Sequence, residues 1–154
     1  MIKAQNFAFG TFLVPAQYAT GNANSAIVDT LGYDYMTVLV SIGVNTGAFT
    51  RLRLEWAEDA AIAVDPANNG DFDPAAVPLL DIAGNATALP DATDNVNYTF
   101  EVDLRDKPRY VRINHNTGGN TMMSALAILT RAEIKDPDTA LARGLAAPGQ
   151  VLRV

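Results

Sequence analysis

One histidine is present in the 154 residues, and it sits where chemistry is easiest to imagine: RYVRINHNTGG, Arg109 to Gly119, alternates charged and apolar side chains up to His115 and then breaks into a small polar loop. An imidazole titrates near neutrality and can act as a general base, but it needs a nucleophile beside it. The sequence has no cysteine and no G-x-S-x-G turn, so neither a Cys–His pair nor a serine elbow can form around it. His115 therefore reads as the structural end of a strand, at most a pH-sensitive interface group. Carboxylates offer two other openings. Asp65, Asn69, Asp71 and Asp73 lie together in DPANNGDFD, but a Pro-Ala pair stands where the second calcium ligand belongs and no Glu closes the loop, so a solvated turn is expected. Glu101 and Asp103 share one strand face; placed across a sheet from Arg51 and Arg53, they are cross-strand ion pairs rather than an acid/base pair. Gly118-Gly119 precedes neither a lysine nor a helix start, which makes it a turn and not a phosphate cradle. No catalytic residue, metal ligand or cofactor is expected, and the chain reads as a non-enzyme.

The elements that carry these residues are strands. In TRLRLEWAED, Leu52, Leu54 and Trp56 alternate with Arg51, Arg53 and Glu55, and in NYTFEVDLRD, Tyr98, Phe100, Val102 and Leu104 alternate with Thr99, Glu101, Asp103 and Arg105. Period-two alternation bracketed by turn residues marks half-buried strands. The Arg105-Asp106-Lys107-Pro108 turn leads to a returning strand over Arg109 to His115, so the two are expected to form a hairpin. YMTVLVSIG, Tyr35 to Gly43, is apolar on both parities, as a strand covered on both faces would be, and Asn45-Thr46-Gly47 is expected to join it to the Leu52 strand as a second hairpin. TMMSALAILTR, Thr121 to Arg131, has helical propensity, but it follows the Thr117–Asn120 turn and reads as the last strand of a meander. Short strands are expected at Ser25 to Thr30 and Val77 to Ile82. Asp59 to Asp94, rich in Ala, Asn, Asp, Gly and Pro, reads as mostly loop.

Bulk composition narrows the partners. Eleven basic against seventeen acidic residues give a net charge of −6, which repels nucleic acid. The longest apolar run, Met36 to Val44, is far short of the twenty or so residues of a membrane span, and the N-terminal apolar patch is interrupted by Asn6, Gly10 and Pro15, so neither a membrane nor an export signal is expected. The two Asn-x-Thr sequons, at Asn85 and Asn97, are chance matches without a secretory route. Both ends of the chain are apolar: Phe7, Phe9 and Phe12 near the start, Leu141, Leu145, Val151 and Leu152 near the finish, with Arg143 among them. Set in Pro- and Gly-punctuated segments, these eight residues are expected to bind partners as arms that bury themselves against neighbouring copies or a larger surface.

The order VDTLGYDYMTVLVSIG, then LRLEWAED, a variable loop, DKPRYVRINHNTGG and a last apolar strand resembles small structural proteins of tailed bacteriophages, the head decoration or auxiliary capsid proteins, over Ile27 to Arg131. The WAED stretch and the C-terminus depart from that pattern. The resemblance implies a subunit that clusters, as trimers, on the outside of a capsid and clamps the major capsid protein. The expected fold is all-β: an antiparallel β-sandwich or jelly roll over residues 23–133, with an N-terminal arm over 1–22 and a C-terminal arm over 134–154. Its core is expected on Leu52, Leu54, Trp56, Phe100, Val102, Leu104, Val111, Ile113, Leu126 and Ile128. The expected function is non-catalytic, a capsid decoration or cement protein made in the host cytoplasm and carried on the virion surface. A tail or head-closure subunit, or a calcium- or carbohydrate-binding module using Asp65 to Asp73, are the alternatives.

Overall fold

The computed structural model of the protein describes residues 7–58, 77–81, 83–92 and 94–131. Regular structure among them is entirely β: β1 (Phe7–Tyr18), β2 (Gly21–Asn24), β3 (Val28–Asp29), β4 (Tyr35–Asn45), β5 (Phe49–Ala57), β6 (Leu80–Asp81), β7 (Val96–Asp103), β8 (Tyr110–Thr117) and β9 (Thr121–Thr130). Two antiparallel sheets result. Sheet A runs β1-β9-β4-β7-β6, and sheet B is built on β8, which pairs with β5 along one edge and with β2 and then β3 on the other. They pack face to face as an antiparallel β-sandwich.

Alternation places the core between the sheets. Val38, Val40, Phe100 and Ala127 from sheet A meet Leu54, Trp56, Val111 and Ile113 from sheet B, all at or near zero exposure. Each large apolar side chain buried in this way contributes about 1.5–3 kcal/mol. Eight of the ten expected core residues are there, Leu52 through Ile113. Leu126 and Ile128 are not: on β9 the inward parity is Met123, Ala125, Ala127 and Leu129, and Leu126 is 36% exposed. Nor is β4 covered on both faces, since its burial alternates and leaves Tyr35, Leu39 and Val44 exposed. When both parities are apolar, period-two reading cannot say which side faces in.

Connectivity departs from expectation in a related way. Neither expected hairpin forms, because β4 and β7 belong to sheet A whereas β5 and β8 belong to sheet B. Both connections cross the sandwich. A strand with one buried face shows the same alternation whether its successor lies beside it or across the core, and Leu104, buried with its N–H donating to the Asp34 carbonyl at 2.8 Å, anchors the β7–β8 crossing. Glu101 and Asp103 therefore lie on the opposite outer face from Arg51 and Arg53 and make no ion pair with them. At one end the β4–β5 and β8–β9 connections touch backbone to backbone: Gly118 N–H donates to the Ala48 carbonyl at 2.8 Å and Thr46 N–H to that of Asn120 at 3.1 Å. A Cβ on Gly118 would stand 2.6 Å from the Ala48 oxygen, and one on Gly119 2.7 Å from the Gly47 nitrogen. The glycine pair is thus a packing requirement of a turn.

The N-terminal segment, expected as an arm over residues 1–22, is a strand where it is described. β1 pairs with β9 from Phe7↔Thr130 to Tyr18↔Thr121, with irregularities between Thr11 and Leu13 and between Leu13 and Ala16. These shift the alternation so that both Phe12 and Leu13 enter the core, at 2% and 4% exposure. Residues 1–6 and 132–154 lie outside the described residues, and with them Leu141, Arg143, Leu145, Val151 and Leu152; so does Asp65 to Asp73.

Candidate interaction surface

His115 is a core residue. It points inward from β8 beside Val111 and Ile113, is 1% exposed, and neither ring nitrogen has a hydrogen-bond partner. Its nearest aromatic neighbour is Tyr18, edge-on at 5.6 Å between ring centres. Burial without a partner disfavours the charged imidazolium and pushes its pKa down to about 4. The ring is therefore neutral near pH 7 and closed off from any interface. Among the described residues no group of three or more His, Cys, Asp or Glu is placed to hold a metal.

The outer face of sheet B is a hydrogen-bonded polar lattice. Asn114 donates through Nδ2 to Asn24 Oδ1 at 2.7 Å and Asn22 Oδ1 at 3.1 Å, and its own Oδ1 accepts from Arg51 Nη1 at 3.2 Å. Glu55 takes Arg53 on Oε1, through Nε at 2.9 Å and Nη2 at 2.7 Å, and Arg112 Nε on Oε2 at 2.9 Å. Alternation on β5 and β8 points all of these away from the core, yet Glu55 and Arg112 are 0% and 2% exposed. A buried carboxylate shared by two guanidiniums is worth little as net stability but costs several kcal/mol to break. Polar groups bonded to one another within the chain leave this face little to offer a partner.

The stretches that carry the phage resemblance meet at the opposite end of the sandwich from the glycine turns. Asp29 of VDTLGYD and Arg109 of KPRYVR form a bidentate pair, Nε–Oδ1 at 2.8 Å and Nη2–Oδ2 at 2.6 Å. Thr30 adds its N–H and hydroxyl to the Arg109 carbonyl, at 3.0 and 2.7 Å, and Leu31 N–H caps Asp29. Gly32 takes φ +85°, a left-handed turn for which glycine is suited. The Arg109 guanidinium holds the Asp29 carboxyl below the usual carboxylate range. Asp103 is held at about 2 by its neighbour Arg105. The motif residues thus close a turn onto β8, a structural task.

What remains open is the outer face of sheet A. Cross-strand register aligns Phe9, Ile128, Thr37 and Glu101 in one row, and Thr11, Leu126, Leu39 and Thr99 in the next. Phe7, Thr130, Tyr35 and Asp103 form the row beyond Phe9. Phe9 is 71% exposed and Phe7 53%; Tyr35, Leu39 and Leu126 are each more than a third exposed, and Val14, Val44 and Met122 extend the surface past the far rows. Large apolar side chains scattered singly are ordinary, but a contiguous field of them marks a place where something binds. Of the three phenylalanines expected to bind partners, Phe7 and Phe9 belong to this surface and Phe12 does not. Tyr35, Leu39, Leu126 and Met122 are exposed on the same face and were not among the expected partner-binding residues, although β4 and β9 are apolar on both parities.

No family model matches the chain, and no curated protein matches it. Among solved structures it is similar to the SPBc2 prophage-derived protein YomS, at 16% sequence identity and a TM-score of 0.50, over 80% of this chain and 92% of that one. At such identity the likeness is one of fold, and it joins the strand register in describing this chain as an antiparallel β-sandwich.

Proposed function

We propose that the chain is a structural, non-catalytic virion protein of a tailed phage, and within that class a head decoration protein that binds the major capsid protein on the outer surface of the shell. The observation that carries the reading is the contrast between its two outer faces: sheet B spends its polar groups on itself, whereas sheet A, among the described residues, leaves large apolar side chains exposed. The phage assignment draws on the order of segments over Ile27 to Arg131 and on the shared fold with a prophage-derived protein. In this reading Leu141, Arg143, Leu145, Val151 and Leu152 contact the capsid protein, and a tethered segment of this kind gains affinity from its high effective concentration.

Electron microscopy of intact particles carrying a tagged copy tests the proposal. Hundreds of copies on the outside of the head are expected. Six or twelve copies at the tail or head–tail junction would assign the chain to those structures instead, and absence from the particle would remove the virion role. Deleting residues 134–154 should leave the sandwich folded by circular dichroism and abolish attachment to shells; undiminished attachment would count against the C-terminal contact.

A further inference from the structure

We propose that the outer face of sheet A is a self-association surface: two copies lay these faces together about a two-fold axis that crosses the strands at the Leu39–Leu126 row. The inference rests on reading this face as an interface, and it adds the identity of the occupant, a second copy of this chain.

Three features select that occupant. The first is area. At about 150–250 Å² for a large side chain, the exposed fractions of the apolar residues on the face amount to roughly 800 Å², the share each partner gives to an interface of standard size and more than a typical monomer leaves bare. The second is the row pattern. Tyr35 lies four residues before Leu39 and Gly43 four after it, while Thr130 and Met122 stand in the same relation to Leu126. A half-turn about the Leu39–Leu126 row therefore sets the aromatic end of one copy, Phe7 and Tyr35, over the aliphatic end of the other, Val44 and Met122, with the leucines meeting their own mates at the centre.

The third feature is charge. Exposed carboxylates are the obstacle to pairing two identical faces, because like charges set opposite each other repel. On β7 the same half-turn places Glu101 over Asn97, both exposed, so that acid meets a neutral amide, while Asp103 at the end of the strand is already ion-paired with Arg105. The two-fold arrangement running along the strands instead sets Phe9 of one copy over the Glu101 edge of the other, which strands a carboxylate on an aromatic ring. A face used against itself is isologous and closes with two copies, so this contact makes a dimer in place of the trimer that the phage resemblance implies.

Sedimentation of the purified full chain is the first test. At micromolar concentration the expected mass is twice the 16.4 kDa of one chain, and Leu39→Lys and Leu126→Glu should each return it to a single chain, because each puts two like charges on the axis. Both side chains point away from the core, and unchanged circular dichroism and fluorescence of the buried Trp56 would certify the fold. The natural sequence has no cysteine, so single thiols report the register. A short bis-maleimide should link Leu39→Cys to its mate and fail to link Glu101→Cys, whose mate lies about 13 Å further along the strands at 3.3 Å per residue. A solitary wild-type chain, a dimer that survives both charged variants, or equal linking of the two thiols would each overturn the proposal. Sedimentation reads the pairing and particle imaging reads the virion role, so either can fail alone.

Discussion

Acidification from about pH 8 to about pH 5 should remove about 2 kcal/mol of folding stability through His115 alone. In the unfolded chain its imidazole has an ordinary pKa near 6.5; in the folded chain, burial between the sheets with no partner for either nitrogen brings it to about 4. Between those values the unfolded state takes up a proton that the folded state refuses, so acid favours unfolding. Stability is full above the unfolded pKa, falls by up to about 1.4 kcal/mol per pH unit as pH drops through the window, and levels off below the folded pKa, with about 3 kcal/mol lost in all. The depressed carboxylates act in a lower range. Asp29, Asp81 and Asp103 have folded pKa values below the usual 3.8, so their contributions are intact above that value and vanish only as pH falls towards the folded pKa, about 2 for Asp103. Of these shifted groups, the histidine alone acts between pH 8 and 5.

Urea titrations of the wild type and of His115→Leu at half-unit steps of pH, followed by Trp56 fluorescence, measure the effect. Leucine fills a similar space and brings no polar atom. The variant should be at least as stable as the wild type near pH 7, because two unpartnered buried nitrogens are removed, and its stability should stay flat down to about pH 5 where that of the wild type declines. Parallel curves for the two proteins across this interval would refute the assignment of His115 as a neutral, unsatisfied core residue. A variant whose curve is flat with pH but lies below that of the wild type near pH 7 would show that the ring is valued for its packing against Tyr18 more than it is penalised for its nitrogens.

Glu55→Ala should cost about 3–5 kcal/mol, since it removes a buried carboxylate that the Arg53 and Arg112 guanidiniums share, while Glu55→Ala combined with Arg112→Leu should recover most of the loss; a double-mutant cycle by urea unfolding reads the coupling. Phe100→Ala, at a position with no solvent exposure, should cost about 3–5 kcal/mol through lost burial and a residual cavity, seen as a lower thermal midpoint in calorimetry. Asp29→Asn should cost only about 1 kcal/mol, because the bidentate pair with Arg109 is well formed but solvent-exposed, and the cost should shrink in high salt. Gly118→Ala should be destabilising by thermal melting, because its methyl group would meet the Ala48 carbonyl oxygen at 2.6 Å and the facing backbone must shift.

The fold class and most strand positions were legible because single-faced alternation is unambiguous: Leu52, Leu54 and Trp56 on β5, or Phe100 and Val102 on β7, declare a core side and an outer side. Pairing was not, because β7 and β8 alternate identically whether they lie in one sheet or face each other across the core. The N-terminal strand was obscured by its own irregularity. With Phe7 and Phe9 outward and both Phe12 and Leu13 inward, FAFGTFLV keeps no single period, and it reads as an apolar tail until β9 is there to pair with it. The exposed apolar face of sheet A was hidden for a third reason. Leu126 and Ile128 are bulkier than the alanines beside them, so size alone assigns them to the core, yet the inward parity of β9 is that of Met123, Ala125, Ala127 and Leu129.

That inversion is itself informative about the molecule. Ala125 and Ala127 share the interior with Phe12, Phe100, Trp56 and the valines of β4, so larger side chains in their places would overpack it. The space outside the sheet has no such limit, and there the chain sets leucine, isoleucine, tyrosine and phenylalanine among the threonines and acids that a solvated strand carries. Sheet B shows that polar outward residues are compatible with this sandwich, since Arg51, Arg53, Asn114 and Arg112 occupy the equivalent positions. An isolated domain gains nothing from the apolar choice on sheet A and loses solubility by it. Exposed apolar side chains on three adjacent strands are what the proposed self-association requires.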